Sequence, residues 1–351
     1  HKVDLVVVAG DVYDRALPQV DAVRLADEVF ARLASSRAKV VVTSGNHDSA
    51  QRLGFGSRLI DAAGVFIRTD AGSVGTPVLL DDTHGTVAVY GIPFLEPDTV
   101  REPWGLSMRS HEAALTAAIT RVRDDLAGRR GARSVVLAHA FVAGGEASDS
   151  ERDISVGGVS MVPTSVFGGI DYVALGHLHG RHALTERIRY CGSPLAYSFS
   201  ETDHLKGSWL VDLDGAGTVT AEFVEAPVPR PLARLRGSLE SLLVDDRFNR
   251  HEASYLQITL TDDDRPTQAM ERLRARFPHT LVLAFQPAGG ERDAAPGART
   301  AGRSDHEIAL DFVADLRGTP ASDVESRLMS EAVNACCDDS ERDVLVGSGG
   351  S

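Results

Sequence analysis

The sequence predicts an α/β fold followed by a smaller α+β unit and a pair of helices, on three observations. Four short apolar runs, 5–9, 39–43, 134–138 and 172–175, have the length and the Val-rich composition of strands covered on both faces. Between the first two, Val23, Ala26, Val29, Phe30 and Leu33 recur at helical spacing after Pro18 and Asp21, so 4–43 reads as strand, helix, strand. Pro227, Pro229 and Pro231 then stiffen an extended stretch and mark the end of the first domain.

In chain order, the first helix spans 22–34, residues 59–63 read as a short helix and 65–67 as a strand. Residues 78–80 and 86–90 flank the turn-rich segment Asp81-Asp82-Thr83-His84-Gly85 as the arms of a hairpin. Residues 91–106, with three prolines and Trp104, read as loop. A helix at 110–126 offers Ala114, Ala117, Ala118 and Val122 as a small apolar face. The polar stretch 144–158 follows His139 as a long loop of the kind that carries substrate contacts, and its acidic part, 149–153, reads as a solvated face. A short strand at 190–192 enters Gly192-Ser193-Pro194, and 207–213 pairs with 218–224 across Asp214-Gly215.

Beyond the prolines, helix 235–244, strand 255–260, helix 266–277 and strand 281–285 make a small α+β domain with little core of its own. Residues 287–302, mostly Ala, Gly, Pro and Arg, read as a flexible linker. Two helices follow, 306–316 with the stripe Ile308, Phe312, Val313 and Leu316, and 321–335 with Val324, Leu328, Met329 and Val333. So short a module cannot bury both stripes alone, and docking on another polypeptide is expected, with packing back onto its own chain as the alternative. The expected divisions are 1–226, 232–286, a linker at 287–304 and a partner-binding helical segment at 305–338.

Composition narrows the classes of function. With 43% hydrophobic and 25% charged residues over 351, the chain suits a soluble protein of one large and one or two small domains. No apolar run approaches the roughly 20 residues of a membrane span, and no signal peptide is expected. A net charge of -14 argues against a broad nucleic-acid-binding surface, while leaving room for a local basic channel or a polyanion held through metal ions. Cys191, Cys336 and Cys337 have no ligand-like spacing and fit a reducing cytosol.

Each buried run ends in polar chemistry: Gly10-Asp11-Val12-Tyr13-Asp14, Ser44-Gly45-Asn46-His47-Asp48, His139, and Gly176-His177-Leu178-His179. In α/β sheets the carboxyl ends of strands are where ligands bind. Asp11 offers an anionic oxygen, Asn46 an amide oxygen, and His139, His177 and His179 imidazole nitrogens. That mixed set suits Mn2+, Fe2+ or Zn2+ better than Mg2+ or Ca2+. A carboxylate can bridge two cations about 3.5 to 4 Å apart that activate water and neutralise phosphate oxygens, so the chemistry implied is phosphoester hydrolysis. His47 sits between Asn46 and Asp48 and is aimed differently from its neighbour; it can stabilise or protonate a departing oxygen, with Asp48 orienting its ring. Any one of these endings alone is more often a turn or a packing residue, but four in succession are hard to produce by packing. Arg15, Arg181 and His182 follow the motifs closely enough to touch phosphate or DNA, with solvent-facing charge an equal alternative. Tyr197 and Phe199 read as core residues rather than base-stacking ones.

The ordered set Gly10-Asp11 with Asp14, Gly45-Asn46-His47-Asp48, His139 and Gly176-His177-Leu178-His179 resembles the signature of calcineurin-like metallophosphoesterases. It is strong as a set and weak piece by piece. Residues 171–180 and 190–201 are similar to the SbcD branch of that superfamily, relatives of the Mre nucleases of double-strand-break repair. The similarity covers 1–285 well and the last helices loosely. It implies a calcineurin-like metallophosphoesterase sandwich, an α+β capping domain that helps position DNA, and a C-terminal helical pair gripping the coiled-coil base of an SbcC-like ATPase. It also implies that Asp11 bridges two Mn2+, for which Mg2+ can substitute. Asn46, His139 and His177 would complete one shell, His179 would join the other, and His47 would be the catalytic histidine paired with Asp48. The activity implied is exonuclease and endonuclease cleavage of DNA, by a homodimer within a heterotetramer, in the cytoplasm and on the nucleoid.

That family opens with an Asp-x-His strand end that ligates the first metal, and nothing before Asp4 supplies it. The expectation is that such a strand precedes residue 1; a chain lacking it would be inactive. Two rivals therefore stand beside the nuclease: a non-nucleolytic scaffold subunit, and a phosphatase on the same fold.

Overall fold

A computed structural model describes residues 2–146, 148, 161–287, 304–317 and 319–343. Most of the loop expected over 144–158 and of the linker expected over 287–304 lies outside the described residues. The chain divides into two compact units, one of His1–Thr261 with Arg265–Phe285 and the other of Asp262–Asp264 with Gln286–Ser351.

The first unit runs β1 (Leu5–Ala9), α1 (Val20–Ala34), β2 (Lys39–Thr43), α2 (Ala50–Leu53), α3 (Ser57–Ile60), β3 (Val65–Arg68), β4 (Val78–Asp82) and β5 (Gly85–Ile92). It continues with α4 (Pro97–Val100), α5 (His111–Ala127), β6 (Arg133–His139), β7 (Tyr172–Gly176), β8 (His182–Ala183), β9 (Ile188–Tyr190), β10 (Gly207–Leu213) and β11 (Val219–Glu225). One sheet has the order β1-β2-β3, all parallel; a second has the order β4-β5-β6-β7-β9-β8, with β5, β6, β7 and β9 parallel; β10 and β11 form the expected antiparallel pair.

Alternation along the strands sets the layers, because successive side chains point to opposite faces. Val41 of β2, Val89 of β5, Val135 and Leu137 of β6, and Tyr172 and Ala174 of β7 meet between the two sheets. Their neighbours Ala88, Tyr90, Val136, Ala138, Val173 and Leu175 face α5, whose Ala114, Ala118 and Val122 are fully buried. On the far side, Val40 and Val42 pack with Val65, Ile67, Phe30 and Leu33. The result is helix, sheet, sheet, helix.

Two departures from the sequence reading concern the first sheet. Every residue of β1 is half-buried, and α1 buries none of its residues fully, leaving Val23 and Val29 exposed. The helix lies over β2 and β3, so Ala26, Phe30 and Leu33 of its stripe are partly covered while Val23 and Val29 are not. β1 has β2 as its one hydrogen-bonded neighbour among the described strands.

Within the same unit, β12 (Leu232–Gly237), α6 (Leu239–Val244), β13 (Tyr255–Leu260), α7 (Ala269–Arg276) and β14 (Thr280–Phe285) carry their own core of Leu235, Leu242, Leu256, Ile258, Leu273 and Phe277. The helix expected over 235–244 is in fact a strand and then a helix. Ala233 and Leu235 alternate into the core, and Ser238 then caps α6 by accepting from the Ser241 amide at 3.3 Å.

In the second unit, α8 (Asp305–Arg317) and α9 (Asp323–Asp343) each begin with a reciprocal cap. The Ser304 and Ser322 hydroxyls accept from the Glu307 and Glu325 amides, whose carboxylates accept from the serine amides at 2.8 Å. Phe312, Val324 and Leu328 are exposed. Among the described residues no helix is long and apolar enough to cross a membrane.

Candidate metal centre

Strand parity gathers the site. Ala9, Thr43, His139 and Gly176 share the parity of the residues between the sheets, and their registers, Ala9 opposite Thr43 and His139 opposite Gly176, align the carboxyl ends. The turns that leave these ends are tightly packed. A Cβ on Gly176 would lie 1.7 Å from the Ala9 carbonyl oxygen, and one on Gly45 would lie 2.0 Å from Asp11 Oδ1. Asp11, at φ 49°, and His177, at φ 106°, are two of the three described non-glycine residues in the left-handed region. Such backbone is disfavoured for side chains with a Cβ and persists where surrounding contacts hold it.

Four donor atoms converge there. His139 Nε2 lies 2.9 Å from Asn46 Oδ1 and 3.2 Å from Asp11 Oδ2, and His177 Nδ1 lies 3.3 Å from Asn46 Oδ1. His139 Nδ1 is 2.9 Å from the Ala9 carbonyl oxygen, which only accepts, so that nitrogen carries the hydrogen. Nε2 therefore points a lone pair at two oxygens unless a proton or a metal cation stands between them. Ligands at about 2.1 Å from one centre and at right angles to each other sit roughly 3 Å apart, so the observed spacings fit a first-row cation. His, Cys, Asp and Glu side chains by themselves form no metal-holding group of three or more among the described residues. The Asn46 oxygen is what joins His139 to His177.

The electrostatics favour an ionised Asp11 and a neutral His177. Burial raises the Asp11 pKa, but the His139 hydrogen bond and charge, the His47 amide at 3.0 Å and the His47 charge outweigh it and bring it to about 2. Burial and then the neighbouring His139 lower His177 to about 3, with His179 and His47 adding to the depression and Asp11 opposing it.

Asp48 differs from the sequence expectation. Its carboxylate accepts from the Val12, Tyr13 and Gly45 amides at 3.0, 2.9 and 2.9 Å, so it ties the β1 and β2 ends together rather than orienting His47. Burial nevertheless holds its pKa above the usual value, with the Asp11 charge acting in the same direction. His47 takes its Nδ1 contact from the Asp14 carbonyl oxygen at 2.8 Å.

The other candidates take partners other than the four donors. Arg15 is exposed and pairs with Asp14 at 3.2 Å. The Arg181 guanidinium lies over the Phe223 and Trp209 rings, at 4.5 and 5.9 Å from their centroids. His182 is 3.2 Å from the Glu146 carbonyl oxygen and edge-on to Tyr190. Glu201 and Lys206, to which no role was assigned from the sequence, are both buried and meet at 2.5 Å, with Glu201 also 3.0 Å from His179 Nδ1.

Residues 1–181, just over half of the chain, match the family model of the calcineurin-like phosphoesterases. The chain belongs to the calcineurin-like phosphoesterase family. Phosphoester hydrolysis is the activity that membership supports, and the layered α/β sandwich described above is the fold expected of it. Residues 228–315 match the SbcD C-terminal model, described as a type 5 capsule protein repressor C-terminal domain. The two matches in succession are consistent with an SbcD-type nuclease subunit.

Proposed function

We propose that this phosphoesterase hydrolyses phosphodiester bonds in DNA as an Mn2+-dependent exonuclease and endonuclease. The observation that carries the proposal is the convergence of Asp11, Asn46, His139 and His177 within 2.9 to 3.3 Å at the carboxyl ends of four strands. Asp11, Asn46, His139 and His177 would hold one ion, and Asp11 with His179 would hold a second. Bound there, the ions would supply an activated water and neutralise charge on the phosphoryl oxygens.

The chain's own residues do the rest. Asp11 is ionised and His177 neutral at neutral pH, so neither must lose a proton before binding a cation. The Asp14 carbonyl oxygen fixes the hydrogen of His47 on Nδ1, which leaves Nε2 to take or give a proton at a leaving oxygen. Asp48 keeps Val12, Tyr13 and Gly45 in place and so holds Asp11 against Asn46.

DNA is favoured as substrate by the SbcD-type domain that follows the phosphoesterase domain. The exposed Phe312, Val324 and Leu328 of the terminal helices suit an SbcC-like ATPase partner, and the assembly proposed is a homodimer within a heterotetramer. The test is degradation of end-labelled linear duplex DNA by the natural protein with its ATPase partner in Mn2+, beside His47→Ala. Cleavage lost in the variant supports the proposal. Absence of cleavage in both, with metal bound, would favour a scaffold or a phosphatase.

A further inference from the structure

We infer that Glu201 and Lys206 form a buried, mutually neutralised pair that positions His179, fixing its hydrogen on Nδ1 and presenting Nε2 to the site. This inference rests on the two-ion reading of the site given above. Glu201 has no exposed side-chain surface and Lys206 only 3%, so neither charge is hydrated. Charges removed from water persist where each is paired and its remaining hydrogen-bonding positions are filled, and both conditions are met here.

Lys206 Nζ donates to Glu201 Oε2 at 2.5 Å, to the His179 carbonyl oxygen at 2.9 Å and to Ser193 Oγ at 2.9 Å. The other carboxylate oxygen, Glu201 Oε1, lies 3.0 Å from His179 Nδ1. A carboxylate only accepts, so Nδ1 carries a hydrogen, and in the neutral ring Nε2 is then the nitrogen with the lone pair. The Ser193 amide donates to the same His179 carbonyl oxygen at 3.2 Å, so backbone and ring of this residue are held by one cluster. The largely exposed Tyr197 ring lies tilted beside it, with centroids 6.3 Å apart.

The contrast with His139 gives the pair its meaning. His139 is oriented by a backbone carbonyl oxygen, which no substitution removes, whereas His179 depends on two side chains from the segment 201–206. Lys206 also neutralises the carboxylate, so the ring meets a hydrogen-bond acceptor rather than a bare buried charge. Carboxylate partners of metal-binding imidazoles act in this way by fixing the tautomer and the ring orientation.

The test uses the full chain and two variants. Glu201→Ala removes the acceptor and strands Lys206, so it is run beside the double variant Glu201→Gln with Lys206→Met, which keeps an acceptor oxygen without a buried charge. The first readout is the tautomer of His179 by long-range nitrogen–proton NMR on histidine-labelled, metal-free protein. The second is Mn2+ titration by calorimetry. The expected result is a single Nδ1–H tautomer in the natural chain and in the double variant, and a mixed tautomer in Glu201→Ala. One of two Mn2+ sites should weaken about 10- to 100-fold in Glu201→Ala, with the other unchanged and the double variant within a few-fold of the natural chain. An unchanged tautomer in Glu201→Ala, or equal weakening of both sites, would overturn the inference. If the natural chain binds no Mn2+, the two-ion reading fails, while the tautomer readout still decides what Glu201 does.

Discussion

Replacing Asp48 by Asn separates a carboxylate that holds two loops together from one that takes part in the chemistry. Oδ2 accepts from Val12 and Gly45, and Oδ1 accepts from Tyr13. Asparagine can keep its oxygen toward the first two amides, but its NH2 group then faces the Tyr13 amide, donor against donor. Hydrogen bonds to a charged acceptor contribute about 1.5 to 3 kcal/mol and neutral ones about 0.5 to 1.5, so two weakened bonds cost roughly 2 kcal/mol together. The orphaned Tyr13 amide adds about 1 to 3 kcal/mol. One effect opposes these: burial disfavours the Asp48 charge, and the neutral amide escapes that penalty. The expected net loss is about 2 to 4 kcal/mol, a large part of the ~5 to 15 kcal/mol that typically stabilises a native protein. Urea unfolding of the metal-free chain at pH 7, followed by far-UV circular dichroism, reads the loss directly. Asp48→Ala, which orphans all three amides, should lose more. A variant with the natural midpoint that nonetheless fails to cleave would refute the structural role and return Asp48 to a catalytic pairing with His47.

Two more outcomes follow from the same geometry. The depressed His177 pKa means that the unfolded chain takes up a proton below pH 6.5 which the folded, metal-free chain refuses until about pH 3. Stability is therefore fully present above pH 6.5 and falls by about 1.4 kcal/mol per pH unit through that window; His177→Asn should flatten the slope, and an equal slope in both proteins would contradict the burial argument. Asp11 acts in the same sense lower down, between its ordinary 3.8 and about 2. Gly176→Ala should cost more than about 3 kcal/mol or abolish soluble expression, because its Cβ meets backbone at 1.7 Å. Gly128→Ala, where the nearest atom is 3.4 Å away and φ is -79°, should stay within about 0.5 kcal/mol; comparable losses at the two positions would count against the close packing of the site.

The central strands and their polar ends were legible because a buried strand leaves few choices of residue. Val40 to Val42, Val135 to Ala138 and Tyr172 to Leu175 are nearly solid apolar runs, and each stops where the chemistry starts. The hairpins at 78–92 and 207–225 were legible from turn residues between alternating strands. What failed was local ambiguity and distance. At 232–244 a two-residue alternation, Ala233 and Leu235, precedes a helical spacing, and the second signal masked the first. The exposure of Val23 and Val29 follows from the placement of α1 over β2 and β3, which periodicity alone does not contain. The partner of His47 could not be read from adjacency, because Asp48 turns to amides 35 and 36 residues away. Glu201 and Lys206 close on His179 across 22 and 27 residues, again beyond any local pattern.

Metal binding at these strand ends is read by anomalous diffraction at the manganese edge from crystals of the natural protein equilibrated with Mn2+. A peak is expected within coordination distance of Asp11, Asn46, His139 and His177, and a second beside Asp11 and His179. No peak at either position, in crystals where these side chains are ordered, would contradict metal binding there.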